Sequence, residues 1–107
     1  MQLEFHVVAQ RDEIPLGEGR SFDVGAKRIA VFNAGGNFFA IDDMCPHMGA
    51  SLAAGFLENH VVTCALHAWR FDVRDGTWCD NRRVKIDAFP VRIVGDEILV
   101  GVPSRNV

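Results

Sequence analysis

Two short Cys/His pairs in this chain have the residue types and spacing for metal chemistry. They are Cys45-Pro46-His47 and, after sixteen intervening residues, Cys64-Ala65-Leu66-His67. Thiolate and imidazole are the ligands that select iron–sulfur clusters, zinc or copper over hard, oxygen-bound cations. The chain has three Cys and four His, and this stretch holds two of each in alternating order. A lone Cys or His is usually a packed core residue. Two pairs framed by small, turn-forming residues predict one shared centre. A structural zinc ion takes four such ligands in a tetrahedron, with about two to four residues between partners. Cys64 and His67 suit that spacing, but Cys45 and His47 are tight for a single ion, because ligands two apart on an extended loop diverge. In a [2Fe–2S] centre where two His replace two Cys on one iron, each loop gives one ligand to each metal. The spacing favours the cluster and leaves zinc and copper open.

Such a centre needs a frame that brings two loops together, and the rest of the chain predicts one built of β-strands. Leu3, Phe5 and Val7 alternate with Glu4 and His6 as in a half-buried strand, with His6 a polar strand position. Residues 15–19 form a turn-rich loop, and 20–24 and 27–33 form a hairpin joined at Gly25-Ala26. A second turn at 33–37 leads into a buried strand at 38–42, with Phe38 and Phe39 in the core, and so into the first pair. Between the pairs, 50–55 is a small-residue loop or short turn, and 56–57 and 61–63 make a hairpin across residues 58–60. His60 at that turn is expected to be exposed and not a fifth ligand. A further hairpin, 69–73 with 77–78, closes through Asp75-Gly76, where glycine tolerates positive φ. Cys79 follows without a partner at ligand spacing and reads as a structural or free thiol. The last strands are 84–86, 91–94 and 98–102, with a turn at Gly95-Asp96. Many short strands with regular turn signals predict an all-β sandwich or small barrel.

At 107 residues the chain fits one domain, small enough to gain from a metal staple. Hydrophobic residues at 49% with 23% charged predict a soluble globular protein, and no apolar run reaches membrane-spanning length. The first residues lack the basic-then-apolar pattern of a secretory leader. Three Cys argue against a disulfide scaffold and for a reducing, cytoplasmic setting. A net charge of −3 argues against a nucleic-acid partner. The chain has no nucleophile elbow, phosphate-binding glycine loop or dinucleotide fingerprint, so the two pairs carry the chemistry.

With its flanks, the paired motif resembles that of the Rieske family. The first loop is Cys45-Pro46-His47-Met48-Gly49, and the second is Cys64-Ala65-Leu66-His67-Ala68-Trp69-Arg70-Phe71-Asp72. The likeness runs from the 15–19 turn to the 89–93 strand. It implies an antiparallel β-sandwich with a small inserted cluster-binding subdomain, here about 43–79, within a single 1–107 domain. It implies one [2Fe–2S] cluster, with Cys45 and Cys64 on one iron and His47 and His67 on the other. Ala68 stands where the family commonly has glycine. The family's high-potential members carry an extra Cys in each loop, at positions held here by Ala50 and Leu66. They also carry a serine where this chain has Trp69, and a nearby tyrosine, of which this chain has none.

A fully ligated cluster has no open position for substrate, so the resemblance implies one-electron transfer and not catalysis. A mononuclear iron site of two His and a carboxylate would need a further domain, and only His6 and His60 are spare. The favoured reading is a free, monomeric ferredoxin between a flavin-type reductase and a terminal oxygenase. The alternative is the small subunit of a cytoplasmic NAD(P)H-dependent nitrite reductase, bound to its large subunit. A zinc-bound interaction module is the third. Met44 and Met48 are candidate docking residues, while Leu66 and Trp69 are expected to pack against the cluster.

Overall fold

The computed structural model describes residues 2–45, 49–66 and 68–103. Its strands are β1 (Leu3–Gln10), β2 (Gly19–Val24), β3 (Lys27–Ala34), β4 (Asn37–Asp42), β5 (Phe56–Glu58) and β6 (Val61–Thr63). They continue with β7 (Arg70–Asp72), β8 (Thr77–Trp78), β9 (Asn81–Lys85), β10 (Ala88–Phe89), β11 (Val91–Val94) and β12 (Glu97–Pro103). They form three antiparallel sheets, ordered β1-β12-β11, β10-β4-β3-β2 and β5-β6-β7-β8-β9. The only helical pieces among the described residues are 3-10 turns at Arg11–Glu13 and Leu52–Ala54.

The middle sheet separates two cores, and β3 shows why. It reads as a nearly unbroken apolar run, which fits a strand covered on both faces. Ile29 and Val31 point into one core with Ala9, Ile14, Val24, Ala40, Ile98, Val100 and Val102, between the middle sheet and β1-β12-β11. Ala30 and Phe32 point the other way, into a second core with Ile41, Val62, Phe71 and Val73. The adjacent phenylalanines of β4 divide likewise, Phe38 against the first core and Phe39 against the second.

Three expectations are amended. In β1 the register shifts between Val7 and Ala9, so the alternation breaks. Val7 is 53% exposed and Ala9 takes the buried position. The strand expected at 84–86 is β9, Asn81–Lys85, exposed along its whole length at a sheet edge. His60 is half-buried, its ring edge-on to Phe39 at 6.0 Å.

The Asp75-Gly76 turn carries a specific demand. Gly76 has φ +79, and a Cβ there would collide with the carbonyl oxygen of Ile86. Upstream of this turn, Asp72 is 2% exposed and ends β7. Its carboxylate accepts from Arg74 Nε at 3.0 Å and Nη2 at 2.8 Å, and from Arg82 Nη1 at 3.3 Å. Chiefly through the Arg74 side-chain bonds, its pKa is pushed from 3.8 down to about 2. A depressed carboxylate contributes stability above its unfolded pKa and loses it as pH falls through the folded value. Asp72→Asn should therefore cost about 2 kcal/mol at neutral pH. The gap to wild type should narrow as pH drops from 4 towards 2, read by denaturant unfolding across that window.

Candidate metal centre

Both ligand loops leave the middle and five-stranded sheets at the second core, and both are closed in the same way. β4 delivers the first: the N–H of Cys45 donates to the carbonyl of Ala50 at 2.8 Å, and that of Gly49 to Cys45 at 2.7 Å. Met44 and Ser51 form an antiparallel bridge at its neck. The second lies between β6 and β7: the N–H of Cys64 donates to the carbonyl of Trp69 at 2.7 Å. Each Cys thus closes its loop with the residue five positions on.

The tertiary structure brings the two thiols together. Cys45 and Cys64 are 0% and 2% exposed and belong to the same core, with Leu52, Val62 and Phe71. They are not disulfide-bonded, and their side chains lie close enough to interact. Burial pushes the Cys64 thiol up; the Leu66 backbone group pulls it down in part, and Cys45 beside it pushes it up again. Two adjacent buried thiolates repel each other unless a cation lies between them, and a coordinating thiol is deprotonated outright. The donor chemistry therefore fits a metal held by both sulfurs. Among the described residues no third Cys, His, Asp or Glu joins them. His47, His67 and Met48 lie outside the described residues. Cys79 is a partly exposed free thiol whose N–H donates to the Arg70 carbonyl, and it does not join the pair.

Around the loops, Met44 is 57% exposed, as expected of a surface residue. Leu66 is 47% exposed and does not pack inward as expected. Trp69 is half-buried and stacks on Trp78, with centroids 4.3 Å apart and planes at 13°. The stack ties the second loop to β8. Ala68 adopts φ +56, the left-handed conformation that glycine takes without cost. Its side chain is exposed, so nothing packs against the methyl to offset the strain. Ala68→Gly should raise stability by about 0.5 kcal/mol, since the relieved strain exceeds the added unfolded-state entropy. Thermal unfolding should show a Tm increase of roughly 2–4 °C. A decrease would mean that the methyl stabilises the loop.

The sequence reading missed the carboxylate that clamps the first loop. Asp43 is 1% exposed. Its Oδ1 accepts from Ser51 Oγ and from the Ala53 N–H, both at 2.9 Å. Its Oδ2 accepts from Ser21 Oγ at 3.0 Å and faces Arg28 Nε at 3.4 Å. In sequence Asp43 is one of two adjacent aspartates at a strand exit, and nothing local separates it from exposed Asp-rich turns.

The family model for the Rieske [2Fe-2S] domain matches residues 4–98. The chain belongs to the Rieske family. It is 34% identical over 100 residues to the ferredoxin component of the alkene monooxygenase system of Xanthobacter autotrophicus, covering 92% of this chain and 82% of that one. The Rieske fold is equally plain in solved structures. The ferredoxin of carbazole 1,9a-dioxygenase from Nocardioides aromaticivorans IC177 superposes with a TM-score of 0.84 at 32% identity, over 90% of this chain and 95% of that one. A putative NADH-dependent nitrite reductase small subunit from Mycobacterium tuberculosis reaches 0.89 at 20% identity, over 97% and 99%, a likeness of fold. This Rieske chain is a small electron-transfer ferredoxin and a non-catalytic component, and its cofactor is a [2Fe–2S] cluster. That cofactor replaces the zinc and copper readings. No helix among the described residues is long and apolar enough to cross a membrane.

Proposed function

We propose that Cys45 and Cys64 bind one iron of the cluster and His47 and His67 the other, and that the chain carries single electrons from a flavin-dependent reductase to a terminal oxygenase in the cytoplasm. The observation that carries the ligand assignment is the meeting of the two thiols, from separate loops, in one buried core. When bound, such a cluster gains and loses one electron with every iron position occupied. The protein's own part is to hold the loops rigid, exclude water from the sulfurs and present a face for docking. Burial of both Cys and the paired loop closures support the first two. Exposed Met44 and Leu66 support the third, since methionine and apolar side chains favour protein contacts. The ferredoxin relatives of oxygenase systems favour an oxygenase acceptor over a fixed place in a nitrite reductase, for which the support is likeness of fold.

Reconstitution with a flavin-dependent reductase and an aromatic-ring oxygenase tests this reading. The free chain should elute as a monomer and associate only weakly, as small redox contacts do. Met44→Glu should slow oxygenase turnover about tenfold while leaving the visible spectrum unchanged. Unchanged turnover would place docking elsewhere. Stable co-elution with a sirohaem-containing large subunit would favour the nitrite reductase reading.

A further inference from the structure

Asp43 is a buried carboxylate at the entry of the first ligand loop. Its bonds connect three parts of the molecule. Ser51 and Ala53 lie where the first loop re-enters the fold, Ser21 lies on β2, and Arg28 lies on β3. The Asp43 backbone adds to the clamp: its N–H donates to the Arg28 carbonyl at 3.0 Å, and its carbonyl accepts from Leu52 at 2.6 Å. The loop carrying Cys45 is therefore pinned at entry and exit to one side chain. The carboxylate is shielded from water, whereas the Arg28 side chain opposite it is 63% exposed and is itself held by Ser21 at 3.0 Å. A buried negative charge is weakly screened, and an exposed positive one is largely screened by solvent. The two members of the pair are therefore unequally screened, and the buried member sits at the entry of the loop that carries Cys45.

We infer that Asp43 is a positioning residue which fixes the first ligand loop and whose buried charge, partly offset by Arg28, holds the reduction potential down. This rests on the proposed ligand assignment. Reduction adds a negative charge to the centre, so a fixed negative charge nearby opposes it and a positive one assists it.

The test is protein-film voltammetry and EPR on the cluster-loaded full chain. Asp43→Asn keeps a carbonyl acceptor but removes the charge. It should retain the Rieske spectrum and shift the one-electron equilibrium about tenfold towards reduction, a rise of ~59 mV. Arg28→Gln should shift it about threefold the other way. Asp23→Asn, which removes the same charge from an exposed position on β2, should move it less than twofold. Asp43→Ala, with no acceptor, should bleach at least tenfold faster than Asp43→Asn. A purely structural clamp would alter bleaching but would not produce midpoint shifts of opposite sign. An unchanged midpoint in Asp43→Asn, or a shift of the same sign in Arg28→Gln, overturns the inference. If Asp43→Asn does not fold, Arg28→Gln decides alone: a lowered midpoint supports the inference and an unchanged one overturns it. A wild-type protein without a Rieske spectrum would refute the ligand assignment instead, and that is read before any variant is made.

Discussion

Cys45→Ser and Cys64→Ser should each give a colourless protein with at least about 4 kcal/mol less stability, the range in which loss of a metal site falls. Both side chains sit in the second core, so the loss is felt twice. The thiolate bond to the metal disappears, and a smaller, more polar hydroxyl is left in an apolar site that offers it no water. Because binding energy at such a centre is also folding energy, denaturant midpoint and visible absorbance should fall together. His47→Ala and His67→Ala should bleach the protein nearly as completely. Cys79→Ser and His60→Ala should keep full colour, since Cys79 lies apart from the thiol pair and His60 packs on Phe39. Bleaching in Cys79→Ser would show that the thiols are wrongly assigned.

The midpoint potential should lie near about −150 mV, the low end of the Rieske range. Hydroxyl donors to the cluster and its sulfur ligands stabilise the more negative reduced state, and this chain lacks the two that its high-potential relatives use. The serine position is Trp69, whose indole is stacked on Trp78, and the chain has no Tyr. The disulfide positions are Ala50, packed against the second core, and Leu66, 47% exposed, so no bridge spans the loops. The buried Asp43 carboxylate acts in the same direction. Voltammetry should therefore find a protein able to reduce acceptors that a respiratory Rieske protein cannot. A midpoint above about +100 mV would mean that other donors replace the missing hydroxyls.

Much of this molecule is written in local pattern. The alternation and turn residues were enough to place the β2–β3, β3–β4 and β7–β8 hairpins, because each depends on a few neighbouring residues and a tight turn. The two Cys/His pairs were legible for the same reason: ligand chemistry and short spacing are local properties, and they sufficed to name the family. The β1 alternation misled because its outcome depends on pairing with β12, where the register shifts at Val7. Leu66 was expected inside because it is apolar, yet its loop turns it outward beside the left-handed Ala68.

Nothing in the order of residues says which sheets cover the two faces of β3, that Trp69 stacks on Trp78, or that Cys45 and Cys64 face one another. These follow from packing three sheets, and they join residues far apart in the chain. Asp43 is the clearest case. Its neighbour Asp42 has the same chemistry and caps only the N–H of Met44. Asp43 is buried because Ser21, Arg28, Ser51 and Ala53, from three separate segments, converge on it with donors. A sequence can show that an acid is present. Whether water or protein solvates it is decided only when distant strands close around it.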